Sequence, residues 1–256
     1  MCNRVTAFCI ILFAFSSKGF AQDFLTNALK KDSKRDTKSY IIQSLDGKSQ
    51  KVHIMPDYEN NVLRISCLKD TISINDYWGV PAEVHVMNKN FLSIKYEVRG
   101  GSNLGLGNIL VLCVKGSTLY EAMHVLRYSH SETGSENQDY NIKSILIGKT
   151  SKTYKLKVRI RNSSYSKYTP STNFNYNNLS VLKFDVNQNV FYSLKNSIYQ
   201  IMTIYDIKTN KEQKQEIRGN FPEIILGDET YYFIKDGWYQ MGENNELYNF
   251  TSTTRK

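Results

Sequence analysis

The sequence predicts an all-β fold built from antiparallel strands. The chain is rich in Tyr, Phe, Ile, Val and Thr, which fit pleated, half-buried sheet surfaces. Apolar residues recur at every second position, as at Leu63, Ile65 and Cys67, which is the period of a strand with one buried face. Tight-turn residues separate these runs, and with only 4 prolines in 256 residues few strands are interrupted. An antiparallel meander is the architecture that joins such runs most simply.

Residues 1–21 have the layout of a secretory signal peptide. Arg4 gives a short positive segment, Val5–Phe15 is apolar, and Gly19 and Ala21 are the small residues of a cleavage site. The apolar run is too short to span a bilayer, which needs ~20 residues. We therefore expect a mature chain from Gln22, exported through the inner membrane to the periplasm or the extracellular space. No later segment is apolar enough for a transmembrane helix.

The mature chain divides into two predicted parts. Residues 22–39 are expected to form a short helix and a polar linker, because apolar residues share one side of Asp23–Lys31. Residues 40–256 are expected to form the all-β domain.

Three hairpins are predicted near the start of this domain. Their turns are Asp46-Gly47, Lys69-Asp70 and Asn88-Lys89-Asn90, each between two strand-like runs. The segment Leu119–Tyr128 fits a helix or a strand, and its neighbours favour a strand. The other predicted strands are Ile109–Val114, Tyr140–Ile147, Lys152–Arg161, Leu179–Val186, Val190–Leu194, Ile198–Ile207, Thr230–Ile234, Trp238–Met241 and Glu246–Phe250.

Three other predicted hairpins, later in the chain, share a sequence pattern. Each has an apolar strand, a lysine, a small turn and an apolar–Tyr pair. Their lysines, Lys115, Lys195 and Lys235, lie 80 and 40 residues apart. A period near 40 is the spacing of β-propeller blades, so the pattern predicts a propeller-like meander of ~40-residue repeats. A β-sandwich or an open β-barrel is the alternative.

The segment Tyr96–Tyr120 also places a Gly100-Gly101-Ser102 loop before a strand–turn–strand pair. This arrangement resembles blade segments of bacterial exported propeller-like β-repeat proteins. The resemblance implies a fold and no activity.

Cys67 and Cys113 are the two cysteines left after removal of residues 1–21. A disulfide between them is one alternative, because disulfides persist in exported proteins. Two buried thiols are the other, because each cysteine continues the apolar face of a predicted strand.

Positive charge is concentrated between residues 140 and 184, where nine basic residues occur without any acidic one. From Tyr154 to Arg161 apolar and basic residues alternate, so the four cations of this stretch are expected along one outward strand face. A polar loop, Asn162–Asn178, is predicted to follow, and long loops with aromatic residues often bind ligands. The candidate binding residues are Lys155, Lys157, Arg159, Arg161, Tyr165, Lys167 and Tyr168.

The partner expected for these residues is an anionic polysaccharide, a lipid headgroup or an acidic protein surface. Nucleic acid suits the charge but not the expected compartment. The simpler alternative is an edge strand that Lys and Arg protect from aggregation, followed by a disordered loop.

Residue types that carry catalysis form no recognisable motif. The four histidines, His53, His85, His124 and His130, lack the spacing of metal ligands. Gly148-Lys149-Thr150 lacks the earlier glycine of a phosphate-binding loop. We therefore predict no catalytic residues, metal or cofactor, and a non-catalytic binding module. A secreted hydrolase acting on glycans or peptides, and a periplasmic immunity or inhibitor protein, are the alternatives.

Overall fold

The computed structural model describes residues 36–78, 80–98, 104–151, 153–206, 211–249 and 253–255. The predicted signal peptide and most of residues 22–39 lie outside these residues. The elements of the described part are β1 (Lys38–Gln43), β2 (Ser49–Asp57), β3 (Val62–Cys67), β4 (Asp70–Ile74), β5 (Glu83–Met87), β6 (Phe91–Val98), β7 (Leu104–Lys115), β8 (Thr118–Thr133), β9 (Glu136–Lys149), β10 (Tyr154–Ser166), a 3₁₀ turn (Pro170–Thr172), β11 (Phe174–Asp185), β12 (Val190–Tyr192), β13 (Leu194–Asp206), β14 (Lys211–Leu226), β15 (Glu229–Ile234), β16 (Gly237–Met241), β17 (Glu246–Asn249) and β18 (Thr253–Arg255).

These strands form two open sheets and a barrel. The first sheet has the order β1-β2-β3-β4-β18, and the large sheet has the order β12-β11-β10-β9-β8-β7-β6-β5. Strands β13 to β17 form the closed barrel, which a parallel pairing of β13 with β17 completes. The all-β prediction is confirmed, and every other named strand pair is antiparallel. The propeller arrangement is not shown, because the described strands form no set of four-stranded blades.

The three similar hairpin segments occupy different positions in this architecture. Lys115 ends β7 at the turn into β8, and Lys235 lies in the turn between β15 and β16. Lys195 instead lies at the start of strand β13. This strand pairs with β14 in the barrel, whereas the preceding strand β12 pairs with β11 in the large sheet. The shared sequence pattern therefore marks no repeated structural unit, because two of the lysines lie in or beside a turn with left-handed φ, 60° at Gly116 and 48° at Lys235, and the third lies in a strand.

The predicted turns Asp46-Gly47 and Asn88-Lys89-Asn90 are confirmed, whereas the turn predicted at Lys69-Asp70 lies one residue earlier, at Leu68-Lys69, because Asp70 already begins β4. Gly47 has φ 86° in the turn from β1 to β2, and Asn88 and Lys89 have φ 45° and 60° between β5 and β6. These left-handed values suit Gly and Asn, which adopt them at low cost. The ambiguous segment Leu119–Tyr128 lies within strand β8.

The large sheet folds over itself and encloses the main core. Strand β8 pairs with β9 only from Tyr128 to Thr133, and its earlier half pairs with β7 alone. The two halves of the sheet therefore diverge, and Val111 of β7 packs in the same buried cluster as Leu156 and Val158 of β10. The opposite face of β6 and β7 packs against the first sheet, where Leu110 meets Ile65 in a second cluster.

The barrel has its own interior and also contributes to the main core. Met202, Ile217 and Leu247 are buried inside it. Its β15–β16 hairpin inserts Trp238 into the core of the large sheet, where the indole Nε1–H donates a hydrogen bond of 3.0 Å to the carbonyl oxygen of Glu121. This insertion fixes the barrel against the inner face of the large sheet and leaves the outer face of β9–β11 uncovered.

Asp185 holds the turn between β11 and β12 and links it to the barrel. Its carboxylate accepts hydrogen bonds from the backbone N–H of Asn187 at 2.8 Å and of Gln188 at 3.2 Å. Lys195 Nζ of β13 lies 2.7 Å from the same carboxylate. Burial acts to raise the pKa of Asp185, but the Lys195 ammonium and the two N–H groups outweigh it and hold the pKa below the ordinary 3.8.

Replacing Asp185 by asparagine is expected to lower the free energy of unfolding by about 1–3 kcal/mol at neutral pH. Because the folded-state pKa is lowered, the carboxylate stabilises fully above its unfolded pKa and loses that effect as pH falls through the folded value. The difference from the parent should therefore shrink as the pH falls below about 4. Urea unfolding at several pH values measures this difference in the free energy of unfolding. The matched control is Asp236→Asn, which makes the same change at an exposed turn position. If the stability difference between Asp185→Asn and the parent did not depend on pH, the stabilising role of the ionised Asp185 carboxylate would be contradicted.

Candidate binding surface

Strand β10 carries the predicted row of cations on its outward side. Leu156, Val158 and Ile160 are fully buried in the main core. Side chains alternate along a strand, so the odd-numbered positions between them point away from the core. All four predicted cations are exposed there: Lys155, Lys157, Arg159 and Arg161. The predicted orientation of the row is confirmed.

The neighbouring strands place no carboxylate beside this row. Residues directly opposite each other in an antiparallel pair share one side of the sheet, about 5 Å apart. On β11 the residues opposite the four cations are Lys183, Val181, Leu179 and Asn177. On β9 they are Gly148, Leu146, Ser144 and Asn141. We call this surface, the four cations of β10 with these eight neighbours, the basic face.

The cations of the basic face make no ion pair with any residue that the structure describes. Arg161 Nε donates a long hydrogen bond of 3.4 Å to Asn175 Oδ1. Lys183 stands directly opposite Lys155 and adds a fifth cation. Like charges opposed in this way repel each other, so the face gains stability when an anion approaches it.

Three aliphatic side chains on the basic face are also exposed to solvent. Leu146 is 65% exposed, Leu179 53% and Val181 45%. Leu146 and Val181 flank Lys157 on its two sides, and Leu179 stands opposite Arg159. Leu179 and Val181 lie on the same side of β11, and Leu146 lies across Lys157 from Val181, so apolar and charged side chains alternate across the face. The sequence pattern alone did not reveal these residues as part of the surface.

The predicted polar loop Asn162–Asn178 is largely strand. β10 continues to Ser166 and β11 begins at Phe174, with Ser163 paired to Asn175. The prediction of a long loop was wrong because polar residues on both faces suggested no sheet. These strands form the end of a hairpin that extends beyond the main core, where polar side chains on the inner side contact the barrel and those on the outer side meet solvent.

This hairpin carries the three remaining predicted residues. Tyr165, 57% exposed, continues the outward side of β10, while Lys167 and Tyr168 lie exposed at the tip. Tyr165 also borders an open depression of about 380 Å³ beyond the end of the cation row. The depression is lined by Asn137, Asp139, Ser163, Ser164, Tyr165, Asn173, Phe174 and Asn175.

Asp139 and His130 form a polar pair at this depression that sequence spacing did not reveal. His130 Nδ1 lies 2.6 Å from Asp139 Oδ1. This hydrogen bond raises the pKa of His130 above its ordinary value, with a smaller contribution from Glu132. The usable signal in the sequence is that the two residues are placed symmetrically about the Gly134 turn, and so oppose each other across the β8–β9 hairpin.

The hairpin is held against the barrel from its inner side. Tyr176 Oη donates a hydrogen bond of 2.5 Å to Asp228 Oδ2 in the β14–β15 turn. Asn162 Nδ2 donates one hydrogen bond of 3.1 Å to Tyr176 Oη and another of 3.2 Å to Asp228 Oδ2. Burial, and then this bond to Asp228, raise the pKa of Tyr176, so it remains a neutral donor. The contacts keep the outward side of β10 and β11 in a defined orientation.

A cleft of about 280 Å³ opens where the two halves of the large sheet diverge. Ile109 and Ile142 form its apolar floor, and Lys143 lies at its rim. Lys95, also at the rim, is paired to Glu83 at 3.1 Å. Ser144 belongs both to this cleft and to the basic face, so the two are adjacent.

The cysteines are free thiols, and the alternative of a Cys67–Cys113 disulfide is not observed. Cys67 is buried between the first sheet and β6–β8, whereas Cys113 is buried in the main core. The two thiols therefore lie in cores on opposite sides of strand β7. Burial raises the pKa of both thiols, so the reactive thiolate is disfavoured.

The described residues contain no group of three or more His, Cys, Asp or Glu side chains with the geometry of a metal site. Within the same ranges, none of the helices has the length and hydropathy needed to cross a membrane.

No protein-family model, no curated protein and no solved structure matches this chain. The assignment of a function therefore depends on the geometry and chemistry of the basic face.

Proposed function

We propose that this protein is an exported, non-catalytic binding module that takes an anionic partner of the cell envelope or the extracellular space on its basic face. The observation that supports this most directly is the set of five exposed cations with no carboxylate opposite them on β9 or β11. Cations on the same side of β10 are ~6.6 Å apart, twice the strand rise. That spacing is shorter than the Debye length of about 8 Å at physiological salt, so an anion interacts with several of them together.

The signal-peptide pattern of residues 1–21 supports the export part of the proposal. An exported protein is separated from chromosomal and ribosomal nucleic acid, so these are not its physiological partners. Export favours acidic glycans, phospholipid headgroups and acidic protein surfaces, which share negative charge.

The secreted-hydrolase alternative receives less support from the same region. Asp139 is the only carboxylate among the residues that line the depression. A two-carboxylate glycosidase needs a pair of acids facing one space. His130 instead holds Asp139 in a hydrogen bond beside the surface.

Reversing two cations at the centre of the face, Lys157→Glu with Arg159→Glu, is expected to abolish binding to a polyanion. The reversal replaces attraction by repulsion in the middle of the surface, and exposed charges are otherwise tolerated by the fold. Retention on immobilised heparin, measured over a salt gradient, tests this. The parent should be retained and should elute as salt screens the charges.

The matched control is Lys211→Glu with Lys214→Glu, which changes net charge equally on exposed positions of the barrel strand β14. This control should keep most of the retention. Undiminished retention of the Lys157/Arg159 variant would contradict the proposal. An equal loss in both variants would also contradict it, because net charge and not the basic face would then be responsible.

A further inference from the structure

We infer that the partner of the basic face is a lipid bilayer that exposes anionic phosphate headgroups. This inference depends on the proposed function and names the partner within it. It is supported by the aliphatic side chains that share the face with the cations.

The cations and aliphatic residues are interleaved and not segregated. Lys157 lies between Leu146 and Val181, and Leu179 lies opposite Arg159. An acidic polysaccharide is hydrated on all sides and would leave these side chains in contact with water. A bilayer provides both environments within one surface, since phosphates lie at the level of the cations and the acyl boundary begins just beneath them.

The shape of the surface is also suited to a bilayer. The row from Lys155 to Arg161 extends for ~20 Å, and the three strands together span ~10 Å across. It is the outer side of three paired strands, so the side chains project toward solvent, and a bulge between Arg159 and Ile160 interrupts the pairing of β9 with β10. Lys and Arg have long apolar stems, which allow the charged groups to reach phosphates while the stems lie along the aliphatic residues.

The charge distribution favours an anionic bilayer over a neutral one. Five cations converge on the face, and the residues directly opposite the row include no acid. Each Lys or Arg close to an anionic membrane strengthens binding by about fivefold. The aliphatic side chains add an attraction that salt does not screen, so binding should retain a salt-resistant component.

Flotation with phospholipid vesicles tests the inference. The parent protein should float with vesicles of phosphatidylcholine containing phosphatidylglycerol and should stay behind with pure phosphatidylcholine. The decisive variant is Leu146→Ser with Leu179→Ser, which leaves every charge in place. It should weaken vesicle binding by at least about tenfold, because the apolar contact is lost. Its retention on heparin should be unchanged.

The control variant is Leu194→Ser with Ile201→Ser, which removes two exposed aliphatic side chains from β13 of the barrel, 43% and 69% exposed. It should float like the parent. Thermal unfolding of all variants checks that each is folded, and exposed positions should change stability little.

The outcomes separate the inference from the proposed function. Retention on heparin without flotation on anionic vesicles would overturn the lipid inference and leave a polysaccharide or protein partner. Flotation that the Leu146/Leu179 variant does not weaken would also overturn it, since charge alone would account for the binding. Absence of both retention and flotation would overturn the inference together with the proposed function.

Discussion

Replacing Trp238 by alanine is expected to lower the free energy of unfolding by about 4 kcal/mol, one of the two largest effects that the structure predicts. Trp238 is fully buried and packs in the main core although it belongs to the β15–β16 hairpin of the barrel. Its indole N–H donates to the carbonyl oxygen of Glu121 on β8 at 3.0 Å. Truncation therefore removes apolar contact, leaves a cavity, and deprives a buried carbonyl of this donor.

Guanidinium-induced unfolding followed by circular dichroism measures this loss. Trp238→Phe keeps an aromatic ring and removes the N–H, so it should cost less than the alanine variant. A loss below about 1 kcal/mol for Trp238→Ala would mean that the hairpin does not insert into the core of the large sheet. The alanine variant should also broaden the transition, since this side chain joins the barrel to the large sheet.

Replacing Glu121 by alanine is expected to lower the free energy of unfolding by about 3–5 kcal/mol. Glu121 Oε2 lies 3.1 Å from His124 Nδ1, and His124 Nε2 lies 2.7 Å from Tyr96 Oη. Asn108 Nδ2 donates to the same tyrosine oxygen at 3.1 Å. All four residues are buried, so loss of the carboxylate leaves polar atoms without their partner in a region that water does not reach.

The conservative variant Glu121→Gln retains the size and an oxygen acceptor, so it should cost clearly less. The double variant Glu121→Leu with His124→Leu should recover part of the loss of Glu121→Ala, because a buried polar pair replaced by apolar residues avoids unpaired groups. Urea unfolding of the set forms the comparison. A loss below about 1 kcal/mol for Glu121→Ala would contradict a stabilising hydrogen bond from Glu121 to His124.

Local features of the fold could be predicted from the sequence because they depend on neighbouring residues. Alternation along Tyr154–Arg161 predicted both the strand and its outward cations, and Asp46-Gly47 predicted a hairpin. The arrangement of sheets could not be predicted in this way. It depends on pairings such as β13 with β17, and on the divergence of β8 from β9, which no short sequence window contains.

The basic face was half predictable for the same reason. The cations were found because lysine and arginine in a strand point outward. Leu146, Leu179 and Val181 were missed because aliphatic residues in a strand usually point inward, and only the register with β10 shows that they do not. His130 and Asp139 were missed because their proximity comes from hairpin pairing across nine residues and not from a motif.

The pairing of β4 with β18 has a consequence for how the chain reaches its folded state. Ile72 and Ile74 of the first sheet pair with Arg255 and Thr253, from the opposite end of the described chain. Residues 253–255 are far in sequence from residues 72–74, with most of the other strands between them. Closing so long a loop costs more chain entropy than forming a local hairpin, so β18 is expected to join the first sheet late in folding.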